Sequence, residues 1–399
     1  MTAPASNSVL LISLQPGLGG VTAMVRLTAT LLREQGYDVT TAWRAFYAQA
    51  PELSVRIWRS AGLRPGIVDH SDDSGKRLAV GTYLPEFEWA HHQPWAAWRR
   101  VIDAHARIVI ASGSNLAGWA PVALGRTSLQ WVASPFDPDR AERTSKWPWW
   151  RRFYDGALNA WVCRRQERHI LETADTIAIS GYTERGLAAV SPSGRLRGVV
   201  PIPVDAERFA PGDRTPPVGR PLRVGFNGRV SDPRKNMTLL VDAFALAARE
   251  NRAIELHVRG DLDRATFIEW FDAGAIADRL HVGPPVPHEE LPAWYRFLDV
   301  FVIASHQEGL SIVGTEAMAS GAVVVSLLCG RPEDFVIDGV TGLLCGFAAT
   351  DMAGRFLELA DDEPLRARLG AAGVELIRQR YAQRSFEHLY MRAFERAFA

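Results

Sequence analysis

The chain alternates short apolar runs with longer stretches in which apolar residues recur every three or four positions. Residues 9–14, "VLLISL", predict a buried strand, the turn "QPGLGG" follows, and the stretch from Val21 to about Gln35 has the period of an amphipathic helix before "GYDVTTAW" starts a second strand. Further strands are predicted at "RIVIAS", "LQWVAS", "DTIAIS" and "RGVVPI", with helical patterns between them. This alternation predicts a parallel α/β domain in the first half.

The second half repeats the pattern after a segment rich in proline and glycine, "APGDRTPPVGRP" at 210–221. The strand "LRVGFNGR" leads into the helix "NMTLLVDAFALAARE", and further strands are predicted at "IELHVRG", "LHVG", "DVFVIAS" and "AVVVSLL". We therefore predict an α/β fold of two Rossmann-like, doubly wound parallel-sheet domains, 1–210 and 211–380, facing each other across a ligand cleft. The amphipathic stretch 381–399 is a candidate to pack across both.

Composition restricts the class of protein. A chain of 399 residues with 47% hydrophobic and 23% charged residues is too long for one core and is typical of a globular protein of two domains. No run approaches the roughly 18 apolar residues of a membrane span, and the N-terminus lacks the pattern of a signal peptide. We expect a cytosolic enzyme or binding protein.

Charge and cysteine content exclude several partners. The formal net charge is zero, so no nucleic-acid partner is expected. The three cysteines, Cys163, Cys329 and Cys345, are odd in number and far apart, which predicts neither a disulfide framework nor a zinc site. We expect all three to be reduced and packed.

The stretch "EGLSIVGTEAMASG" at 308–321 carries the first candidate chemistry. A helix is predicted from the N-cap Ser311 to Gly321, and its first amides form an anion site. Glu308 precedes these amides and Glu316 lies inside the helix, so the order is carboxylate, amides, carboxylate. A nucleotide sugar has the matching order of sugar, diphosphate and ribose, and carboxylates accept bonds from hydroxyls. The alternative is that Glu308 is a solvated loop residue and Glu316 an ordinary surface residue.

Two cations in "GFNGRVSDPRKN" are candidates to neutralise that diphosphate. Arg229 follows a glycine at a strand end, and Lys235, the sole lysine of the second half, precedes a helix. Together they could stabilise negative charge on a departing diphosphate. Arg234 is an alternative for either role, Arg229 could form a surface ion pair, and Asp232 is a candidate partner for them.

The glycine-rich loop "PGLGGV" of the first half contains Gly17, Gly19 and Gly20, which would let the backbone approach a ligand closely. It resembles a dinucleotide-binding loop but lacks the third glycine of that fingerprint. The loop indicates a binding role only in combination with the residues of the second half.

With these residues assembled, the chain resembles the retaining, nucleotide-sugar-dependent glycosyltransferases of GT-B architecture, the glycosyl transferases group 1. The resemblance is strongest over 222–346, in "GRVSDPRKN", "DVFVIASHQEGLSIVGTEAMASGAVVVS" and "DGVTGLL", and weaker in the first half. It implies that the second domain binds the donor and the first selects the acceptor. It also implies chemistry without a bound metal or other cofactor, with a nucleotide-diphosphate sugar as the donor substrate.

The resemblance also assigns roles to residues. It implies that Glu316 binds the ribose, that Arg229 and Lys235 bind the diphosphate, and that Glu308 lies beside the donor sugar. Arg229, Lys235 and Glu308 are the implied catalytic residues. The remaining donor contacts that it implies are the backbone of Leu310, Ser311 and Ile312 and the first-domain loop at Gly19 and Gly20.

One departure from the family concerns a histidine that many relatives carry after the strand reading "LQWVASPFDPDR" here. This chain has Ser134 and Pro135 instead, so Ser134, Asp137 and Arg140 are candidates to contact the sugar or the acceptor. His91 and His92 could substitute for the missing histidine, although adjacent histidines are more typical of a surface.

The segment 146–169 interleaves tryptophan with arginine. It is a candidate to meet a lipid-linked acceptor or an anionic membrane, or to stack an acceptor sugar. The alternative is a half-buried helix with solvated arginines.

The function expected from this resemblance is transfer of a sugar, with retention, from a nucleotide-diphosphate sugar to a hydroxyl of a carbohydrate, a lipid-linked sugar or a small molecule. The expected location is the cytoplasm, with peripheral contact at the inner face of the membrane as an option. The alternatives are a catalytically silent sugar-nucleotide binding protein and a GT-B epimerase or phosphorylase.

Overall fold

A computed structural model of the chain describes residues 4–14, 20–56, 63–73, 75–145, 148–149, 152, 155–212, 220–250, 253–306, 308 and 311–399. The chain forms two compact units, Met1–Ile202 with Glu387–Ala399, and Pro203–Phe386. The division lies after Ile202, upstream of the predicted boundary at residue 210. Each unit has its own sheet.

The first unit contains an eight-stranded sheet among its described residues. Its strands are β1 (Ser8–Ser13), β2 (Asp38–Arg44), β3 (Ile67–Asp69), β4 (Lys76–Val80), β5 (Arg107–Ser112), β6 (Leu129–Val132), β7 (Asp175–Ala178) and β8 (Leu196–Val199), in the order β3-β4-β2-β1-β5-β6-β7-β8. All neighbours pair in parallel except β3, which is antiparallel to β4.

The α-helices described in this unit are α1 (Gly20–Glu34), α2 (Ala96–Asp103), α3 (Trp119–Ala123), α4 (Phe136–Ser145), α5 (Trp161–Thr173) and α6 (Gly181–Val190), and a π-helical segment, Asp155–Ala160, precedes α5. The central strand β1 is apolar on both faces because helices cover both sides of a parallel sheet. Leu10 and Ile12 have no exposed surface and share a core with Trp98 and Ile102 of α2.

The second unit contains a six-stranded parallel sheet in the described part of the chain. Its strands are β9 (Leu222–Asn227), β10 (Ile254–Arg259), β11 (Leu280–Gly283), β12 (Val300–Ile303), β13 (Val323–Leu327) and β14 (Gly342–Cys345), in the order β11-β10-β9-β12-β13-β14. The α-helices are α7 (Met237–Arg249), α8 (Arg264–Phe271), α9 (Leu291–Phe297), α10 (Ile312–Ala319), α11 (Ala349–Asp361) and α12 (Glu363–Arg380).

One contiguous apolar core fills the second unit. The helix α7 begins at Met237 and buries Leu240 and Phe244 against the sheet, at the spacing of one helical face. The buried side of α11, with Met352 and Phe356, belongs to the same core. This core fixes the strand ends from which the candidate residues project.

The last helix, α13 (Gln383–Ala397), begins among residues of the second unit and continues among those of the first. Within the first unit the Tyr390 ring lies 5.5 Å from Trp131, and the Phe394 ring lies 5.1 Å from Tyr37. These edge contacts bury both side chains, so the apolar stripe of the predicted C-terminal helix serves as core of the first unit.

The two doubly wound parallel sheets confirm the predicted fold class. Every strand and helix named in the pattern above is present within a few residues of its predicted bounds. The short strands β3, β4 and β14 are additions, each at or beside a sheet edge.

Candidate active site

The candidate donor residues follow neighbouring strands of the second sheet. Strand β9 ends at Asn227 and leads to Arg229 and Lys235, while the adjacent β12 ends at Ile303 and leads to Glu308. Because the strands are parallel, their carboxyl ends lie at the same edge of the sheet. This edge brings the two loops together.

Lys235 and Glu308 form an ion pair at this edge. Lys235 Nζ donates to Glu308 Oε2 at 2.7 Å, and Ser305 Oγ donates to the same oxygen at 2.8 Å. The side chains of Lys235 and Glu308 are 22% and 14% exposed, so the pair is partly shielded from water. The alternative of a solvated loop residue is therefore wrong for Glu308.

A backbone contact fixes the two loops in this position. The amide of His306 donates to the carbonyl oxygen of Arg234 at 2.9 Å, one residue before Lys235. The His306 ring is stacked on Phe347 with 6.0 Å between ring centroids. The bond from His306 therefore fixes the backbone next to Lys235, and the bond to Glu308 fixes the Lys235 ammonium.

Asp232 organises the two arginines of the β9 loop. Arg234 binds its carboxylate through Nε and Nη2, the shorter contact being 2.6 Å, and Arg229 Nη2 lies 3.3 Å from it. The hydrogen bonds from Arg234 lower the pKa of Asp232 to about 2. Arg229 remains 71% exposed, so it forms the surface ion pair that the sequence allowed and keeps a guanidinium at the mouth of the loop.

Helix α10 begins and ends where the sequence predicts. The Ser311 hydroxyl accepts from the amide of Gly314 at 3.3 Å, and Gly321 follows the helix with φ of +87°, in the left-handed region. A Cβ at Gly314 would lie 2.7 Å from Ile303 Cδ1, so glycine lets α10 approach β12. The amides of Gly314 and Thr315 donate to the Ser311 carbonyl oxygen at 3.0 Å, whereas helix geometry leaves the amides of Ile312 and Val313 without intrahelical acceptors.

Glu316 lies one helical turn further and is only 8% exposed, so it is not an ordinary surface residue. Tyr295 Oη of α9 donates to Glu316 Oε2 at 3.2 Å, and Tyr295 also contacts the side chain of Asn227. Burial raises the pKa of Glu316 to about 7, against the opposing effects of the Tyr295 bond and of the charge of Arg208. The Tyr295 hydroxyl is neutral, so it does not balance the charge of an ionised Glu316. The carboxylate can still accept hydrogen bonds from further hydroxyls.

Two of the predicted donor contacts, Gly19 and Leu310, lie outside the described residues, as does Gly17. Gly20 is described and begins α1; apart from its chain neighbours and the nearby helix backbone, no atom of the described residues lies within 4 Å of a Cβ built on it. Packing against the described residues therefore does not require glycine at position 20.

The structure places the candidate contacts of the first unit in different surroundings. Ser134 is buried after β6, and its amide donates to the carbonyl oxygen of Gly113 at 2.7 Å. Asp137 is 52% exposed and accepts two bonds from Arg164 Nε, at 2.9 and 3.1 Å. The structure does not place Asp137 in a polar pocket, because its bonds are those of an exposed ion pair.

Arg140 is instead the centre of a buried polar cluster. Its side chain is 9% exposed, Nε donates to Glu88 Oε2 at 2.9 Å, and Nη2 contacts the carboxylate of Asp155. Asn159 Nδ2 donates to Asp155 Oδ1 at 2.8 Å. The guanidinium therefore has two carboxylate partners within its own unit.

Two further buried ionisable groups lie near this cluster. Glu167 of α5 is 1% exposed and accepts the amide of Phe136 at 2.9 Å, and burial raises its pKa to about 7. His92 is 7% exposed, and burial lowers its pKa well below the ordinary value. The expectation of a surface position is therefore wrong for His92.

Sequence reasoning missed several side chains that complete these sites. Ser305 ends the predicted strand three residues before Glu308, so its spacing could have identified it. Tyr295 gave no signal, because 21 residues separate it from Glu316. The three cysteines, all described, are free and buried, as predicted.

Part of the second unit is similar to a known protein family. Residues 221–362 match the family model of the glycosyl transferases group 1. The D-inositol 3-phosphate glycosyltransferase of Geodermatophilus obscurus is 39% identical over 163 residues, which are 37% of this chain and 36% of that relative. The chain therefore spans only about a third of the length of this curated relative.

Solved structures resemble the chain over nearly its whole length. Sucrose-phosphate synthase from Thermosynechococcus elongatus has a TM-score of 0.72 at 21% identity and covers 98% of this chain and 99% of its own. Anabaena HepE, in a crystal structure with UDP, has a TM-score of 0.68 at 14% identity and covers 98% and 100%. The chain therefore has the GT-B fold, and residues 221–362 of its second unit are similar to the glycosyl transferases group 1.

Proposed function

We propose that the chain is a retaining glycosyltransferase of the cytoplasm that moves a sugar from a nucleotide-diphosphate sugar to an acceptor hydroxyl without a bound metal. The observation that supports this most directly is the 2.7 Å contact of Lys235 with Glu308 at the strand edge from which α10 also starts. A cation, free helical amides and a carboxylate thus occur together. They suit a diphosphate joined to a sugar.

The proposed reaction breaks the bond between the anomeric carbon and the phosphate oxygen. Negative charge grows on the leaving diphosphate, and Lys235, Arg229 and the first amides of α10 stabilise it. The acceptor oxygen bonds to the same face of the sugar and its proton passes to the leaving phosphate, so no protein carboxylate is required as a nucleophile. The main contribution of the protein is electrostatic.

Glu308 has two tasks in this proposal. Both bonds that it accepts from described side chains use Oε2, which leaves Oε1 to accept hydroxyls of the donor sugar. Its charge also holds Lys235 in place before the diphosphate arrives. Since the phosphate then competes with Glu308 for the ammonium, the ion pair is loosened when the donor binds.

Glu316 binds the ribose of the nucleotide in this proposal. Tyr295 fixes one carboxylate oxygen at 3.2 Å and orients the other oxygen. Two vicinal hydroxyls would replace the water that a buried carboxylate has lost. The uridine diphosphate in the HepE structure makes uridine nucleotides the first donors to test.

The acceptor is proposed only as a class, a hydroxyl of a carbohydrate, a lipid-linked sugar or a small molecule. The curated relative named as a D-inositol 3-phosphate glycosyltransferase adds inositol phosphate to the compounds worth testing. Ser134, Asp137 and Arg140 remain proposed contacts of the first unit. Arg140 has the weakest support, because its carboxylate partners already satisfy it.

Donor turnover with and without acceptors tests the proposal. A nucleotide sugar that binds the folded chain should raise the free energy of unfolding by about 2.7 kcal/mol when its free concentration is a hundred times its dissociation constant. The unfolding temperature should rise accordingly. Release of nucleoside diphosphate should then depend on an acceptor, and the product should keep the anomeric configuration of the donor. Binding without turnover on any acceptor would indicate a silent binding protein, and isomerised donor without acceptor an epimerase.

We also propose peripheral contact with an anionic membrane through 146–169, of which residues 148–149, 152 and 155–169 are described. Trp149 and Trp161 are 74% and 52% exposed, and Arg165 lies over the Trp161 ring at 5.0 Å. No described helix is long and apolar enough to cross a membrane. Flotation with anionic and neutral vesicles tests this, and equal recovery with W161A and the native chain would contradict it.

A further inference from the structure

Glu255, His257 and His281 lie together on one face of the second sheet, at the edge formed by β10 and β11. His257 and His281 are direct register partners on these parallel strands. Glu255 is two residues before His257, so both side chains project from the same face. Sheet register brings together residues that the spacing of the sequence does not associate.

The ligand atoms of these residues converge. Glu255 Oε2 lies 3.1 Å from His257 Nε2 and 3.9 Å from His281 Nε2, and the ligand atoms of all three lie within 4.8 Å of one another. Ligands of a tetrahedral ion with bonds of about 2.0–2.2 Å are roughly 3.3 Å apart. The two separations bracket this value, and rotation of the exposed His281 side chain would bring its nitrogen toward an ion shared with Glu255 and His257.

The two imidazole rings are stacked, so their in-plane nitrogen lone pairs run nearly parallel, and His281 must turn about its side-chain bonds before both nitrogens face one ion. The two imidazoles are stacked with 4.4 Å between centroids and an angle of 12° between planes. Phe297 of α9 meets His257 edge-on at 5.0 Å, and Trp294 of the same helix lies 6.2 Å from it. These aromatic contacts fix His257, which is 9% exposed, while His281 is 49% exposed and provides access from solvent.

We propose that Glu255, His257 and His281 bind one divalent transition-metal ion of the zinc class. Two imidazoles and a carboxylate are the donors that such ions prefer, whereas Mg²⁺ and Ca²⁺ prefer oxygen alone. Three protein ligands leave a fourth position for water. The ion would join the edge strand β11 to β10, and it takes no part in the proposed transfer reaction, whose residues follow β9 and β12.

Neighbouring positive charges oppose the ion: Arg220 interacts electrostatically with Glu255, and Arg223 with His257. Arg223 is the register partner of Glu255 on β9, and its positive charge weakens binding of a dication. Its guanidinium is stacked on the Phe297 ring, with Cζ 4.0 Å from the centroid. The stacking keeps the positive charge of Arg223 near the three ligands, which is consistent with moderate affinity for a divalent ion.

Calorimetric titration of the untagged full chain with Zn²⁺ tests the proposal. The expected result is one equivalent bound, with at least about tenfold weaker binding in H281A, since a lost ligand should cost no less than a lost partner of a ligand. H388A is the matched control, because His388 is also exposed but lies in the other unit. It should bind Zn²⁺ as the native chain does.

Co²⁺ provides a second readout that does not depend on affinity alone. Four-coordinate Co²⁺ with imidazole ligands should give visible d–d bands in the native chain and in H388A, and these bands should disappear in E255Q and H281A. Zn²⁺ should also raise the unfolding temperature of the native chain and of H388A, but not that of E255Q or H281A. The proposal is overturned if no Zn²⁺ binds, if H281A and E255Q bind like the native chain, or if H388A loses as much as H281A.

Discussion

The charged residues of the two units differ in how they are assembled and in how completely they are paired. In the second unit, Lys235, Glu308 and Glu316 come from two short segments after neighbouring strands. In the first unit, Arg140 meets Glu88, which is 52 residues away along the chain, and Asp155, and both lie on other elements. One group is a local motif and the other is a product of tertiary packing.

The pairing differs as well. Arg140 is 9% exposed and has two carboxylates, so its charge is balanced inside the protein. Glu316, in contrast, is buried and its hydrogen-bond donor is the neutral phenol of Tyr295. Incomplete pairing in a partly buried place is costly without a ligand. The comparison suggests that the first cluster stabilises the fold and that the second group is arranged for a ligand.

The largest expected effect tests whether the cluster around Arg140 stabilises the fold. R140M should remove the cation that the partly buried carboxylates of Glu88 and Asp155 share, which should lower the free energy of unfolding by about 3–5 kcal/mol. Urea unfolding of the first unit, followed by near-UV circular dichroism, measures this. R164M is the control, because its pair with Asp137 is exposed and should contribute at most about 1 kcal/mol.

An opposite pattern for Arg140 would change its role. If R140M unfolds at the same urea concentration as the native chain but loses turnover only through a raised KM for the acceptor, Arg140 contacts the acceptor. The cluster would then resemble the donor site rather than contrast with it.

The next effect tests whether the charged residues of the second unit act on a ligand. K235A should lower kcat by about 100- to 1,000-fold, because an oriented cation is lost where charge develops on the leaving group. Far-UV circular dichroism should show an intact fold, while the unfolding midpoint should fall because Glu308, whose side chain is 14% exposed, loses its cation. Steady-state release of nucleoside diphosphate is the measurement.

R234A is the matched control for Lys235. Arg234 is the adjacent cation, and its hydrogen bonds go to Asp232 at the protein surface. We expect less than tenfold loss of kcat from R234A. Equal losses from K235A and R234A would show that the loop as a whole matters and that Lys235 has no individual role.

The sequence predicts these two regions unequally for physical reasons. Helix α10 could be placed from Ser311 and Gly321 because caps are local signals, and the positions of Glu308 before it and Glu316 within it followed from that placement. Tyr295 and the partners of Arg140 could not be found, because only packing decides which distant side chains meet. The same limit applies to His257 and His281, whose contact depends on strand register.

Edge strands show the limit for the fold. Strand β3 has three residues, none buried, so it lacks the apolar run that identifies a central strand. The central strands were predictable because a sheet covered on both faces requires continuous apolar residues. Sequence patterns therefore define the centre of each sheet better than its edges.

The smallest effect compares two buried carboxyls, one from each unit, whose pKa values burial raises to about 7, Glu316 and Glu167. The unfolded chain ionises these groups near pH 4.5, so between about pH 4.5 and 7 the folded state binds more protons and stability falls as pH rises. E316Q and E167Q should each flatten this fall and raise stability at pH 8 by about 1–2 kcal/mol. Urea unfolding at pH 5 and pH 8 measures the difference.

Only the second-unit carboxyl should also affect the donor. A protonated Glu316 accepts hydroxyls less well, so calorimetry should show donor affinity falling below about pH 7 in the native chain, while the phosphate diester groups of a nucleotide sugar stay ionised. At pH 8, E316Q should bind about five- to tenfold more weakly, because bonds to a charged acceptor exceed those to a neutral amide by about 1 kcal/mol. E167Q should bind the donor like the native chain at both pH values. Equal losses in both variants would mean that burial of a carboxyl, rather than its place at the strand edge, determines the effect on the donor.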